Sequence, residues 1–361
     1  MRLIFFILLG GLVAFCSQPA RENEQKSEGK LVAENPQKIK PKYITPKLPN
    51  DSDDPAIWYN EKSPENSLIL GTDKEEETGG LYIFNIKGEL DSSKTVYPLK
   101  RPNNVDVAYS LPLGQDTVDI AVVSERMTAS IRVFSVPDME TIDGGGIPVF
   151  EDDSANEVMG IALYTRPEDN AIFAIVSRKE NSDHQNDYLY QYKLNGENGT
   201  VTGKLVRKFG DFSGQGEIEA IAVDNEHGFV YYSDELYGIR KYYADPEKGN
   251  EELGVFGTSD FTDDREGIAI FKNDDGSGYI TVSDQAADKF RVYTRKGRNS
   301  PHNHVELAVL DLSTLESDGS EIFSKSLGPD FPNGLFVAMS DNGTFEIYDW
   351  NDLQKKISIS Q

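Results

Sequence analysis

Residues 119–134 read Asp-Ile-Ala-Val-Val-Ser-Glu-Arg-Met-Thr-Ala-Ser-Ile-Arg-Val-Phe. An apolar run ends in Ser124 and an acid; a short polar step follows; then Ile131-Arg-Val-Phe134 alternates apolar and polar up to an aromatic. Apolar runs this short, with period two and no 3.6-residue repeat, specify adjacent strands. Outward from here the same unit recurs as Leu81-Tyr-Ile-Phe84, Leu189-Tyr-Gln-Tyr192, Ile239-Arg-Lys-Tyr242, Phe290-Arg-Val-Tyr293 and Phe345-Glu-Ile-Tyr348. The steps between terminal aromatics are 50, 58, 50, 51 and 55 residues. Each unit follows an apolar run, and four of those runs close on a serine followed by an acid, at Ser124, Ser233, Ser283 and Ser340. Before each run lies a further short strand: Pro55-Ala-Ile-Trp58, Val105-Asp-Val-Ala108, Gly160-Ile-Ala-Leu163, Ala220-Ile-Ala-Val223, Gly267-Ile-Ala-Ile270, and a weaker copy from Gly319 to Phe323.

Six copies of three visible strands, with room for a fourth, predict an all-β chain folded as a six-bladed β-propeller in a single domain over residues 51–361. The segment before Asp51 is expected to add a strand to the last blade and close the ring. A linear solenoid would need atypical end repeats, and these copies are not obviously atypical.

The chain has 361 residues and a net charge of −25, from 36 Lys+Arg against 61 Asp+Glu. Nucleic acid is excluded as a partner, because phosphate backbones are held by clustered cations. The same balance argues against polybasic docking on anionic lipid and favours cation binding. The single cysteine, Cys16, rules out an intrachain disulfide. Residues 1–15 read as a signal peptide, too short to span a bilayer. Cys16 after them resembles a bacterial lipoprotein processing site, with Phe15 departing from the small residue usual there. Residues 16–50, rich in Gln, Glu, Lys and Pro, read as a tether. The expectation is an exported monomer, either anchored to a membrane through lipid on Cys16 or secreted.

The residues just before the innermost strands share one repeat phase and must converge on one mouth. They are Asp53-Asp54, Asn103-Asn104, Val158-Met159, Glu217-Ile-Glu219, Asp264-Arg-Glu266 and Ser317-Asp318. Any one is ordinarily a solvated loop acid or an Asx turn. Together they cannot all ionise at close quarters without a counter-charge. Carboxylate and carbonyl oxygens suit Ca²⁺, whereas Zn²⁺ and Cu²⁺ would call for Cys or His. His184, His227, His302 and His304 fall in polar segments and are read as surface residues. Asp274-Asp-Gly-Ser-Gly278 lacks the closing Glu of a calcium loop, and Asn198-Gly and Asn342-Gly are read as tight hairpin turns.

The chain resembles the β-propeller phytases, calcium-dependent bacterial enzymes that remove phosphates from myo-inositol hexakisphosphate. The likeness runs from about residue 51 to 350. It is carried by Asp53-Asp-Pro-Ala-Ile-Trp58, Asn103-Asn-Val-Asp106, Ile218-Glu219 with Asp224-Asn-Glu-His-Gly228, Asp264-Arg-Glu-Gly267, Ser283-Asp-Gln285, Ser317-Asp-Gly319 and Leu327-Gly-Pro-Asp-Phe-Pro332. The resemblance implies several Ca²⁺ ions held by Asp54, the Pro55 and Val105 carbonyls, Glu219, Glu235, Asp264, Glu266 and Asp318. It implies Lys74, Arg126, Lys179 and Gln285 as substrate-binding residues. Glu219, Glu235, Glu266, Lys74 and Arg126 would carry the catalysis, with a calcium-bridged water as nucleophile and no covalent phosphoenzyme. Four features depart from the family pattern. Met159 stands where a phosphate-binding tyrosine is usual, and Ala220 replaces a glycine. An acidic insertion, Glu75-Glu-Glu-Thr78, follows Lys74. The loop before Ser317 is altered, so that Asp311 or Glu316 would replace a calcium-site aspartate. A calcium-dependent lactonase or esterase would need one or two metals and little positive charge at the mouth. A non-catalytic, calcium-stabilised binding lipoprotein is the third reading.

Overall fold

The computed structural model describes residues 38–179 and 185–360. Residues 1–37, with the expected signal peptide and Cys16, lie outside the described residues, as does His184. The alternating runs become antiparallel strands, and the one α-helix among the described residues is Trp350–Ser360 at the C-terminal end.

The first sheet runs Ser52–Trp58, Leu68–Asp73, Gly79–Asn85, Val96–Leu99. Two further four-stranded sheets are Ile221–Asp224 to Gly254–Phe256 and Arg265–Lys272 to Glu306–Asp311. Between the first sheet and these lies an eight-stranded sheet. One run of it is Pro102–Leu113, Asp116–Glu125, Ser130–Val136 and Ile147–Pro148. The other is Val158–Thr165, Ile172–Arg178, Leu189–Glu197 and Thr200–Phe209. Among the described strands the parallel pair Gly196↔Leu113 is the one ladder pairing between the two runs.

The last sheet combines both ends of the described chain. Ser320–Phe323, Leu335–Ser340 and Thr344–Asp349 are completed by Tyr43–Ile44, in the register Tyr43↔Ile347 and Ile44↔Glu346. This is the closing strand expected from the segment before Asp51. The Phe345 amide donates to Thr45 Oγ1 at 2.9 Å, which locks the seam. The arrangement is a β-propeller, with the first strand of each run packed against the first strand of the next and the circuit closed between Ser52–Trp58 and Ser320–Phe323.

A sheet buried on both faces needs apolar residues at every inward position. Each buried cluster accordingly draws on consecutive runs. Leu70 and Ile83 meet Val123 and Phe134, and Ile69 and Phe84 meet Leu335 and Phe345 where the last sheet meets the first. Burying one such side chain contributes roughly 2 kcal/mol. Asn198 and Gly199, at φ +53° and +79°, form the hairpin turn predicted for Asn-Gly. Asp274–Gly278 is likewise a hairpin connection.

The reading of the histidines as surface residues fails at His304, which is 5% exposed. Its Nδ1 lies 2.7 Å from the Thr294 carbonyl and its Nε2 3.1 Å from Lys241 Nζ. The Tyr231 and Phe256 rings enclose it. Polar neighbours in sequence hid a pocket formed by residues from other strands.

Candidate active site

A shared local irregularity builds the mouth. The innermost strands shift register between Ser52 and Pro55, Pro102 and Val105, Val158 and Ile161, and Arg265 and Ile268. Bulges at one phase free two residues per strand from the ladder and re-aim their side chains. Asp53, Asp54, Asn103, Asn104, Met159 and Glu266, all within the set the repeat phase singles out, are among the residues so freed.

At three junctions a Ser or Thr near the end of a second strand fastens the innermost segment of the next run. Thr72 Oγ1 donates to the Asn103 carbonyl at 2.5 Å, Ser177 Oγ to Ile218, and Ser233 Oγ to Arg265. The acids that follow Ser124, Ser233 and Ser283 are structural: Glu125, Asp234 and Asp284 pair with Arg132, Arg240 and Arg291 inside their own sheets. At Gly160 a Cβ would lie 1.8 Å from the Glu219 carbonyl oxygen, so only glycine allows the Glu217–Ala220 segment to sit where it does.

Lys74, Arg126, Lys179, Glu219, Glu235, Asp264, Glu266, Gln285 and Asp318 all line one open cavity of about 280 Å³. Asp54, Pro55 and Val105 do not join them. They line a second cavity of about 190 Å³ between the innermost strands, with Asp106 and Glu321. Asp54 Oδ2 accepts the Val105 amide there at 3.0 Å. Asp311 and Glu316 stand apart from both. Asp311 ends the outer strand of its sheet beside Lys38, and Glu316 is exposed. The Arg265 guanidinium turns away from the mouth, donating to the Gly257 and Glu235 carbonyls at 2.6 and 2.9 Å.

Sequence reasoning missed Arg101, which lines the same cavity. Glu217 also lines it; it stands in the phased set but not among the implied ligands. The signal for Glu217 was its spacing of two from Glu219.

Oxygens of Glu217, Glu219 and Glu235 lie within 4.8 Å of one another. Burial first, then the surrounding carboxylates, push Glu219 and Glu266 well above the usual carboxylate range. Burial and Glu217 raise Glu235 to about 7. Lys74 is pulled down by burial, but Asp53, Asp318 and Glu219 outweigh this and hold it firmly protonated. It donates to Asp53 Oδ1 at 3.0 Å and Asp318 Oδ2 at 2.7 Å. Asp318 also accepts from Gln285, and Lys179 pairs with Glu217.

The carboxylate oxygens Glu219 Oε1, Asp264 Oδ1 and Glu266 Oε2, with the amide oxygen Asn103 Oδ1, are buried without a hydrogen-bond partner. Buried acceptors left unpaired are costly, and here they are grouped. An all-oxygen set with excess negative charge fits a hard divalent cation. Among the described residues neither Cys nor His lines this cavity, and its oxygen donors do not suit Zn²⁺.

The fold and mouth define a class: a β-propeller whose open end combines clustered carboxylates with a fringe of Lys and Arg. A family model described as Phytase matches residues 21–359. The chain is 31% identical over 326 residues to the 3-phytase of Bacillus subtilis strain 168, covering 85% of this chain and 81% of that protein. The chain belongs to the phytase family. A solved structure described as a 6-phosphogluconolactonase from Bacteroides uniformis matches at a TM-score of 0.50 and 14% identity, over 81% of this chain and 80% of that one. At that identity the likeness is one of fold alone.

Proposed function

We propose that this protein hydrolyses phosphate monoesters of phytate, myo-inositol hexakisphosphate, at the propeller mouth in a calcium-dependent reaction. The observation that carries this reading is the pairing of unpartnered acidic oxygens with Lys74, Arg126 and Lys179 in one cavity. In the reaction a water oxygen forms a new bond to phosphorus. The bond from phosphorus to the inositol oxygen breaks, that oxygen takes up a proton, and inorganic phosphate leaves.

Glu219, Glu235, Asp264, Glu266 and Asp318 would hold calcium at the mouth. Asp54 with the Pro55 and Val105 carbonyls would hold it in the inner cavity. Bound calcium would supply neutralisation of phosphate charge and activation of water. Lys74, Arg126 and Lys179 would steady the charge on the phosphoryl oxygens, and Gln285 would contact the substrate. Met159 lies against the Arg126 guanidinium, so a thioether stands at the position expected to donate to phosphate.

The propeller would be six-bladed, with the eight-stranded sheet made of two blades joined at Gly196↔Leu113. The chain would be exported and anchored through lipid on Cys16, or secreted, with the catalytic unit working as a monomer; the tether expected over 16–50 would end before Ile39, which pairs with Leu312, since Tyr43–Ile44 belongs to the last sheet.

Release of inorganic phosphate from myo-inositol hexakisphosphate, measured beside hydrolysis of a gluconolactone, tests the reading. Phosphate release without lactone opening supports it. Lactone opening with no phosphate released would replace it with the lactonase alternative.

A further inference from the structure

Arg101 precedes the second innermost strand and adopts φ +53°, a conformation uncommon outside glycine. Its amide donates to the Glu75 carbonyl at 2.9 Å, and its own carbonyl accepts the Arg126 amide at 3.1 Å. The residue is thus clamped between the acidic insertion and the turn that carries Arg126. Both side chains reach the mouth cavity, and in both the Nε atom is buried without a partner. Two guanidinium groups held side by side repel each other unless an anion lies between them. The electrostatics agree, since burial and then the Arg101 charge pull Arg126 down. Planar N–H forks of this kind match phosphate oxygens.

The insertion supplies a competitor. Glu76, 58% exposed, places Oε1 3.3 Å from a terminal nitrogen of Arg101. The loop cannot easily drift away. A Cβ at Gly79 would meet the Asp73 and Glu75 carbonyls at 2.4 and 2.6 Å and Pro102 at 2.6 Å, so the strand start is packed tightly against the Arg101–Pro102 corner.

We infer that Arg101 and Arg126 together clamp a second phosphate of the substrate, and that Glu76 is a built-in counter-ion which that phosphate displaces. This rests on the functional reading above. It makes Arg101 a specificity residue for polyphosphorylated substrates, and it makes the acidic insertion a brake on their binding.

The test compares KM and kcat for myo-inositol hexakisphosphate with those for p-nitrophenyl phosphate, on the calcium-loaded full chain. Binding of the hexakisphosphate is followed in parallel by titration calorimetry. Arg101→Asn is chosen because Asn tolerates the left-handed backbone. It is expected to raise KM for the hexakisphosphate about tenfold, with a smaller effect on the monoester and on kcat. Glu76→Gln, an exposed change that leaves the core intact, is expected to lower the same KM about threefold. In the double variant the Glu76→Gln gain should vanish. The inference is overturned if Glu76→Gln leaves hexakisphosphate binding at the wild-type value, or if Arg101→Asn weakens both substrates equally. A wild-type protein that releases no phosphate overturns the functional reading instead, while the binding titrations still decide the role of Arg101.

Discussion

Lys74 Nζ lies 2.7 Å from Asp318 Oδ2, across 244 residues of sequence, and so ties the first sheet to the last at the mouth. The same ammonium holds Asp53. Replacing Lys74 with Met removes a charge that both carboxylates and a bound phosphate would share. Lys74→Met should therefore lower kcat/KM for phytate by about 10²-fold, as removal of one electrostatic stabiliser does. Steady-state phosphate release checks this, and a variant within threefold of wild type would remove Lys74 from the chemistry.

Calcium binding should depend on pH with a definite sign. Glu219 and Glu266 lie well above the usual carboxylate range and Glu235 at about 7, in each case through burial first, so a cation must displace protons to enter. Apparent calcium affinity should rise as pH rises through about 7, with proton release on binding. Calorimetry in buffers of different ionisation enthalpy measures both. A flat affinity between pH 6 and about 8 would show that these acids do not hold the metal.

Without calcium the sign reverses for stability. A carboxyl raised in the folded state stabilises it fully below the unfolded value, and that contribution is lost as pH rises through the folded value. In chelator the protein should melt at lower temperature at pH 8 than at pH 6, and Glu266→Gln should melt higher than wild type at pH 8. Wild-type and Glu266→Gln melting curves that coincide in chelator at pH 8 would contradict the electrostatic account of the mouth.

Gly160→Ala probes packing rather than charge. The new Cβ would lie 1.8 Å from the Glu219 carbonyl, forcing the Glu217–Ala220 segment outward. We expect a loss of about 1–3 kcal/mol, typical of overpacking, and a higher calcium midpoint for activity. Thermal melts and a calcium titration report the two effects separately.

His304 gives an acid limb unrelated to the metal. Burial depresses it to about 4 from 6.5, so its contribution is present above pH 6.5 and lost as pH falls toward 4. That contribution is on the order of 3 kcal/mol. Denaturant unfolding should show His304→Gln losing less stability than wild type between pH 7 and 5; parallel curves would refute this.

The strands were legible because period two and terminal aromatics are local signals, as at Ile131–Phe134. The mouth was legible as a phase: acids at Glu219, Glu266 and Asp318 recur at the same place in the repeat. Other features depend on distant contacts. The bulges at Asp53–Asp54 and Asn103–Asn104 follow from how neighbouring strands meet. They also explain why Asp54 and Val105 face a cavity of their own. Arg101 went unseen because it lies one step before the repeat phase, in a turn whose backbone sign no pattern reveals. His304 went unseen because its partners, Lys241 and Tyr231, come from another sheet.

If the acidic mouth works by holding calcium against a phosphorylated inositol, the rate of phosphate release from myo-inositol hexakisphosphate must follow free Ca²⁺ as it is raised from chelator-buffered zero. The account predicts background rates in chelator, full recovery on adding Ca²⁺, and no recovery in the Glu219→Gln, Glu266→Gln double variant. Full activity in chelator, or a double variant that responds to Ca²⁺ as wild type does, would contradict it.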